Sequence, residues 1–320
     1  MKAIRVYSFG DENVLSYEEH KLPAIGATEV LINVKAIGVN PVETYIRSGT
    51  YPKKPSLPYT PGSDAAGIIV EVGQQVSHLS VGDRVYTVSS VSGSYAEQMI
   101  SFAEDVYSLS DQLSFAEGAC IGIPYYTAYQ ALIHKARAVP GETILIQGAS
   151  GGVGLACLQI AKWKGYRVIA TAGSKEGRSL IEKEGADLVL DHYDDARFEK
   201  VMDYTKGQGV QIVLEMLSNA NLGRDLEILA LFGRVIVIGC RDRVEINPRL
   251  MMSKDTSIVG MTIFNVTPNE KQMMMRDLSD GFDQGKLRPQ VGYKYKLSEA
   301  AIAHSDILKN KAVGKRILEI

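Results

Sequence analysis

Residues 143–154, TILIQGASGGVG, decide the fold class of this chain. The apolar run at residues 144–146 stops at a cluster of glycines, and apolar residues at helical spacing follow over residues 153–161. This order predicts a buried parallel strand, a tight turn and then a helix. At such a turn the helix N-terminus carries free amide groups and the positive end of the helix dipole, which together favour a phosphate.

The glycines of this turn follow a nucleotide-binding pattern. Segment 149–154 is an A-x-G-x-x-G variant of the dinucleotide fingerprint, with alanine at the first glycine position. An NAD site places an acidic residue about 20 residues further on, against the ribose 2′-hydroxyl. Residues 171–173 contain no acid, and Ser174 and Lys175 follow, so the pattern favours the 2′-phosphate of NADP. The alternative is a plain sheet-to-helix turn that binds no ligand.

Length, charge and cysteine content limit the class of protein. The chain has 320 residues, which predicts two domains rather than one. The formal net charge of −2 argues against broad electrostatic binding of nucleic acid or of an anionic membrane. The widely spaced Cys120, Cys157 and Cys240 form neither a disulfide framework nor a clustered zinc site, which favours a cytoplasmic protein. No apolar run approaches the roughly 20 residues of a membrane span, and no signal peptide is recognisable.

The first part of the chain has the periodicity of strands. Short β-branched and aromatic runs alternate with turn residues, which predicts strands at residues 2–7, 29–36, 67–72, 84–88 and 95–100. Segment 51–62 contains four prolines and is predicted to be a stiff, irregular loop.

From residue 125 onward, strand and helix patterns alternate, which predicts a parallel sheet with helices on both faces. The expected strands are residues 143–147, 167–171, 188–190, 211–214 and 234–239, and the expected helices are 151–164, 174–184, 196–205 and 219–231. The apolar run 257–264 is expected to extend the sheet at an edge. The tail, with helices at 269–284 and 298–308 and strands at 293–296 and 316–320, is too short for a domain and is expected to pack on the N-terminal β domain.

Several long motifs carry a family resemblance. They are GVNPVETYIRSG at 38–49, LPYTPGSD at 57–64, GIPY at 122–125, GASGGVG at 148–154, EML at 215–217, GRVIV at 233–237 and EINPR at 245–249. In these the chain resembles zeta-crystallin-type NADPH:quinone oxidoreductases, from the zinc-free branch of the medium-chain dehydrogenases/reductases. The resemblance implies an α/β fold: a Rossmann doubly wound parallel sheet at residues 125–264 that binds NADP, and a GroES-like, mostly-β substrate domain at residues 1–124 and 265–320.

The resemblance also allows the zinc positions of the related alcohol dehydrogenases to be checked. Those enzymes have Gly-His-Glu-x-x-Gly where this chain reads GSDAAG at 62–67, so Ser63 replaces the histidine ligand. Asn40 stands at the position of a cysteine ligand, and segment 90–97 contains no cysteine of a structural zinc lobe. Zinc binds Cys, His and carboxylate ligands in threes or fours. The sequence therefore predicts that no metal is bound.

Site residues are implied by the same resemblance. Asn40, Tyr45 and Tyr51 would line the acceptor site as the catalytic group, with the tyrosines stacking on a flat ring. With 16 tyrosines in the chain, a packing role is the alternative for Tyr45. NADPH would be bound by Tyr45, Ser150, Gly151, Gly152, Val153, Gly173, Ser174, Lys175, His192, Asn221, Ile238, Gly239, Cys240, Arg241, Met261, Thr262, Ile263 and Lys315, the last near the 2′-phosphate.

Three functions remain open from the sequence. The leading one is NADPH-dependent reduction of a quinone, which needs no Lewis acid because a quinone is already a good electron acceptor. The second is reduction of an α,β-unsaturated carbonyl, which needs a proton donor such as Tyr45. The third is a non-catalytic role, either crystallin-like or RNA-binding. The near-neutral charge and the absence of Arg-rich stretches make RNA binding secondary. A homodimer through the edge run 257–264 is expected, because an open apolar edge invites pairing.

Overall fold

The structure, a computed structural model, describes residues 1–309 and 312–320. These residues form two compact units. Unit 1 comprises Met1–Ile123 and Arg288–Ile320, and unit 2 is the continuous segment Pro124–Leu287. Across the described ranges, no helix combines the length and apolar composition needed to cross a membrane.

The strands and helices are named in chain order. The strands are β1 Lys2–Val6, β2 Leu15–Glu19, β3 Glu29–Gly38, β4 Ala65–Val72, β5 Arg84–Thr87, β6 Gln98–Phe102, β7 Val106–Ser108, β8 Thr143–Gln147, β9 Arg167–Ala172, β10 Leu188–Asp191, β11 Val210–Glu215, β12 Leu229–Val237, β13 Ser257–Gly260, β14 Val291–Lys296 and β15 Lys315–Glu319. The α-helices are α1 Pro41–Ser48, α2 Phe115–Gly118, α3 Gly122–Tyr129, α4 Gly152–Trp163, α5 Lys175–Lys183, α6 Arg197–Tyr204, α7 Ser218–Glu227, α8 Arg249–Met252, α9 Pro268–Asp283 and α10 Ala300–Ile307; a π-helix, Gln130–Lys135, continues α3.

Unit 2 is built on a parallel sheet of six strands in the order β10-β9-β8-β11-β12-β13. Every residue of β8 is buried, as expected for a central strand of a doubly wound sheet. Its apolar side chains join a core that includes Leu145, Ile169, Val213 and Val235. The predicted strand–turn–helix at the glycine cluster is therefore confirmed: β8 leads through residues 148–151 into α4.

Unit 1 contains a seven-stranded sheet in the order β14-β15-β3-β4-β5-β7, with β6 also pairing with β3. Most of its pairs are antiparallel, but β14 and β15 are parallel. The last strand of the chain, β15, lies beside β3 with Leu318 opposite Ile37. The C-terminal strand thus completes a sheet that begins in the N-terminal part, as predicted.

The second boundary between the units differs from the prediction. The structure places residues 265–287 in unit 2, so the predicted boundary at 264/265 is wrong. The cause is helix α9, whose Asp277 accepts hydrogen bonds from Tyr129 (2.8 Å) and Lys164 (3.0 Å). Phe282 of the same helix stacks edge-on against Tyr125, with the ring centroids 5.1 Å apart.

Several elements also differ from the prediction, among them β12, which begins at Leu229 rather than at residue 234. Helix α7 ends at Glu227 rather than at residue 231, because β12 begins at Leu229. Strand β13 is shorter than the apolar run 257–264, since a 3₁₀ turn, Ile263–Asn265, follows it. Helix α1 lies in a segment for which the sequence patterns predict no helix.

Candidate active site

Most of the predicted cofactor residues of unit 2 lie at the carboxyl-terminal ends of its parallel strands. Parallel strands present their carboxyl ends on the same side, where open α/β sheets bind ligands. The glycine turn follows β8, Gly173 follows β9, and His192 follows β10. Residues 238–241 follow β12, and residues 261–263 follow β13. The fold therefore brings together residues that are scattered over more than a third of the sequence.

The glycine turn fits a phosphate group. Helix α4 begins at Gly152 with Gly151 as its N-cap, and no side chain caps it, so its first amides are open to a ligand. Gly148 has a φ of +77°, a conformation that glycine adopts without strain. A Cβ atom on Gly154 would lie 2.4 Å from the Gly148 carbonyl oxygen, so only glycine allows this close approach of the helix to the preceding turn. Ser150, a residue of the turn itself, is buried.

The end of β9 carries hydroxyl and cationic groups in place of an acid. Ser174 is the N-cap of α5 and accepts a hydrogen bond of 3.0 Å from the Gly177 amide. Lys175 is exposed in the first turn of that helix. Arg178 forms an ion pair of 2.7 Å with Asp191 at the end of β10. These residues suit a 2′-phosphate better than a free 2′-hydroxyl.

His192 is held in one tautomer by Thr171. The Thr171 hydroxyl donates to Gln147 Oε1 (3.1 Å) and accepts from the Gly148 amide (3.0 Å). Since its only proton is used, the His192 Nδ1–H must be the donor in the 3.1 Å contact with Thr171 Oγ1. Burial, followed by the positive charge of Arg197, lowers the pKa of His192. His192 Nε2 is therefore an acceptor, suited to a ribose hydroxyl or an adenine amino group.

Asn221, a predicted ribose-side residue, is buried and already has partners. Its Nδ2 donates to Glu215 Oε1 (3.3 Å), and its Oδ1 accepts from Arg197 Nη2 (3.2 Å). The side chain therefore ties α7 to the end of β11 and to α6. The sequence does not indicate that Glu215 and Arg197 are its partners, although Glu215 belongs to the EML motif at 215–217.

The predicted nicotinamide-side residues form a turn anchored on β11. The Ile238 and Gly239 amides donate to the Glu215 carbonyl oxygen at 2.9 and 3.2 Å. The Arg241 amide donates to Asn219 Oδ1 at 2.9 Å. Cys240 is exposed. At the end of β13, Thr262 caps the short 3₁₀ turn that contains Ile263, and the Met261 amide donates to the carbonyl of Val237.

In unit 1, α1 and the turn after it carry the predicted acceptor residues Tyr45 and Tyr51. The helix begins with a capping box in which the Asn40 amide donates to Glu43 Oε2 (2.9 Å). At its other end, the amides of Thr50 and Tyr51 donate to the Tyr45 carbonyl oxygen, both at 3.1 Å. Both tyrosines are half-buried, so their rings are partly open to a ligand.

The side-chain amide of Asn40, which the resemblance places at the acceptor site, has its hydrogen-bond partners within unit 1. The residue is 2% exposed, and its Nδ2 donates to Glu43 Oε1 (3.2 Å) and Asp64 Oδ2 (2.9 Å). Its Oδ1 accepts from Lys315 Nζ. Both amide hydrogens are therefore used within unit 1, and Asn40 holds the start of α1 in place.

Lys315, which the resemblance places near the 2′-phosphate, is also in contact with this cluster of unit 1. Its side chain is buried, because β15 places it beside Asn40 and Asp64, and its Nζ lies 3.2 Å from Asp64 Oδ2. Asp64 Oδ1 accepts from the Ile123 amide (2.9 Å). The ammonium group thus has two acceptors within this cluster, and its contact with a 2′-phosphate stays a prediction.

A second buried chain of polar groups extends from this cluster. Tyr95 donates to Glu43 Oε2 (2.6 Å), and His304 Nε2 lies 3.0 Å from the Tyr95 hydroxyl. Burial raises the pKa of Glu43 to about 7, although the bonds from Tyr95 and the Asn40 amide oppose the shift. Burial lowers the pKa of His304 to about 3, so this imidazole is neutral. Glu43 therefore changes charge near neutral pH.

Known proteins resemble the chain over its full length. A family model described as "Alcohol dehydrogenase GroES-like domain" matches residues 26–120, and one described as "Zinc-binding dehydrogenase" matches residues 152–280. The quinone oxidoreductase of Rattus norvegicus is 49% identical over 320 residues, which cover 99% of this chain and 97% of that protein. The chain belongs to the quinone oxidoreductase family of the medium-chain dehydrogenases/reductases.

Other members of the quinone oxidoreductase family agree. The quinone oxidoreductase of Homo sapiens is 48% identical over 320 residues, again covering 99% of this chain and 97% of that protein. The structure of Escherichia coli quinone oxidoreductase in complex with NADPH has a TM-score of 0.91 and 28% identity, and the match covers 100% of both chains. The predicted family and α/β fold class, with a GroES-like and a Rossmann part, are therefore confirmed.

The zinc-ligand positions can now be placed within this quinone oxidoreductase fold. Ser63 contributes its backbone carbonyl to the Thr87 hydroxyl (2.8 Å), and Asn40 is occupied as described above. Over residues 1–309 and 312–320, no group of three or more His, Cys, Asp and Glu side chains is arranged to hold a metal ion. The cation that contacts the Asn40 side chain is the ammonium of Lys315.

Proposed function

We propose that this chain reduces quinones with NADPH and without a bound metal. The observation that carries the proposal is its likeness, over nearly the full length, to quinone oxidoreductases at 48–49% identity. The carboxyl edge of the parallel sheet supports it, because an uncapped helix N-terminus and an acid-free end of β9 fit a dinucleotide with a 2′-phosphate.

The residues of unit 2 would hold the cofactor in four places. The amides at the start of α4 and Ser150 would bind the pyrophosphate. Ser174 and Lys175 would bind the 2′-phosphate, and His192 Nε2 would accept a hydrogen bond from the adenosine half. The 238–241 turn and residues 261–263 would support the nicotinamide. When bound, reduced nicotinamide supplies a hydride.

The residues of unit 1 would orient the acceptor. A quinone ring is flat and apolar on both faces, so the half-buried rings of Tyr45 and Tyr51 can stack on it. A phenol hydroxyl can donate a hydrogen bond to the quinone oxygen that gains negative charge. The hydroquinone anion left by hydride transfer then takes one proton from solvent to give the hydroquinone. Because a quinone is intrinsically electrophilic, positioning is the main task of these side chains.

The test is the oxidation of NADPH, followed by its absorbance, with a quinone and in parallel with an α,β-unsaturated carbonyl. Turnover with the quinone supports the proposal. Turnover with the enone alone would assign the reaction to the second class of acceptor. Binding of NADPH without turnover of either would favour a non-catalytic role.

Tyr45→Phe and Tyr51→Phe separate stacking from hydrogen bonding within this assay. If the rings only stack, both variants keep their KM for the quinone. If one hydroxyl polarises the acceptor, that variant alone loses kcat. Tyr17→Phe, an exposed tyrosine of β2, is the matched control.

A further inference from the structure

Two buried carboxyl groups lie near the carboxyl-terminal ends of the unit 2 strands, next to the candidate cofactor site. Glu215, at the end of β11, and Asp225, in α7, are both 0% exposed. Their carboxyl groups lie near enough to affect each other's ionisation. Two ionised carboxylates in contact would repel each other strongly in a buried setting, so their close approach requires a proton.

The hydrogen bonds to the pair show where that proton lies. Glu215 Oε1 accepts from the Leu217 amide (2.5 Å) and from Asn221 Nδ2 (3.3 Å). Asp225 Oδ1 accepts from Gln147 Nε2 (2.9 Å). The other oxygen of each, Glu215 Oε2 and Asp225 Oδ2, is buried and has no N–H or O–H donor in the described part of the chain. One proton between these two oxygens satisfies both.

The remaining negative charge is balanced nearby. Arg197 of α6 is the cation that faces the pair and holds Asn221 Oδ1 (3.2 Å). His192 faces it indirectly, through Thr171 and Gln147, and is neutral. Burial raises the pKa of both acids, and for Asp225 the charge of Glu215 adds to that effect.

The pair is connected to most of the candidate cofactor site. The Glu215 carbonyl oxygen accepts from the amides of Ile238 and Gly239, and its carboxyl group holds Asn221. From Asp225 the bonds continue through Gln147 to Thr171, which holds the amide of Gly148 in the glycine turn. Displacement of either acid would therefore move residues on the nicotinamide, ribose and phosphate sides together.

We propose that Glu215 and Asp225 share a single proton and that this carboxyl–carboxylate pair positions the glycine turn, Asn221 and the 238–239 turn for binding of the dinucleotide. They are positioning residues and touch no substrate. The proposal rests on the proposed function for the identity of the ligand, but not for the presence of the proton. Loss of the proton at alkaline pH leaves two buried charges in contact and weakens the site.

The experiment compares the native protein with Asp225→Asn, Glu215→Gln and the control Asp203→Asn, an exposed residue of α6. In each amide variant the new NH₂ group takes the place of the shared proton, so both variants should fold. Thermal unfolding without cofactor and the dissociation constant of NADPH are measured from neutral to alkaline pH. In this range His192 stays neutral and the cofactor phosphate is already ionised.

For the native protein and for Asp203→Asn, NADPH affinity should fall tenfold for each pH unit above the pKa of the pair, and the unfolding temperature should fall with it. For Asp225→Asn and Glu215→Gln, neither the NADPH affinity nor the unfolding temperature should show this fall with pH. Parallel profiles in all four proteins would overturn the proposal. It would also be overturned if the amide variants were more stable than the native protein at neutral pH, because that result would mean that Glu215 and Asp225 are both ionised in the native protein. If no protein binds NADPH, the proposed function fails, while the unfolding profiles still decide whether the proton is shared.

Discussion

At the scale of single residues, one buried ammonium joins three segments of unit 1. Lys315 pairs with Asp64 while both side chains are almost wholly excluded from water. Removing the cation in Lys315→Met leaves Asp64 buried without its charge partner, and the free energy of unfolding should fall by about 3–5 kcal/mol. Denaturant unfolding measures the loss. Lys294→Met, which breaks an exposed ion pair with Glu319 on the neighbouring strands, should change stability by less than about 1 kcal/mol. Equal effects would contradict the buried pair.

Glu43 predicts a pH dependence of stability. Its pKa is raised from 4.5 to about 7 in the folded protein, so the folded state holds a proton that the unfolded state releases. The stabilisation is complete below the unfolded pKa and is lost as the pH rises to about 7, by on the order of 3 kcal/mol. Glu43→Gln should remove this slope, which unfolding curves at several pH values would show. An unchanged slope in the variant would contradict the assignment.

Lys175 should contribute to cofactor preference. Lys175→Gln removes one charge-assisted contact with the 2′-phosphate, and NADPH should bind about tenfold more weakly, which is about 1.4 kcal/mol. NADH lacks the phosphate, so its affinity should stay the same. Fluorescence titration of both cofactors measures this. Lys183→Gln, at the other end of α5, is the control and should leave both affinities unchanged.

At the scale of elements, the strand β13 forms an edge of the unit 2 sheet. Exposed apolar side chains lie on the neighbouring strand β12, at Leu231 and Phe232, and in the turn after β13, at Phe264. We propose that this edge pairs with a second copy of the chain. Light scattering at micromolar concentration should give the mass of a dimer, and Phe264→Glu should shift it toward a single chain. Val139→Glu, another exposed apolar position of unit 2, should not. A native mass near that of one chain would exclude the dimer.

Local patterns predict most elements of unit 2, because each buried strand and each helix stop leaves a signal in neighbouring residues. They fail for α1, since the residues this helix buries include the polar Glu43, Thr44 and Arg47, which gives no apolar stripe. They also extend α7 too far, because Leu229 and Leu231 continue its apolar spacing into a strand. The buried ion pair of Lys315 could not be predicted from local sequence patterns, because its partner Asp64 is 251 residues away in the chain.

At the scale of the whole molecule, we predict that the activity does not depend on a bound metal. Prolonged chelation should leave quinone reduction unchanged, and elemental analysis should find no stoichiometric zinc. The reason is the chemistry of the donor positions: Asn40 is already hydrogen-bonded to Lys315, and Ser63 is a poor zinc ligand. Activity that falls on chelation and returns with added zinc would contradict it.

The placement of β15 between β14 and β3 has a consequence for biosynthesis. Unit 2 is one continuous segment, so all its strands have been synthesised before β15 exists. Until translation reaches β15, unit 1 is incomplete: residues 36–38 of β3 lack their β15 partner, although β6 already pairs with residues 29–33, and Asp64 lacks its lysine. The N-terminal part is therefore made first and matures last, the reverse of the usual order on the ribosome. A chain cut short just before residue 315 would contain all of unit 2, attached to a unit 1 whose sheet lacks β15.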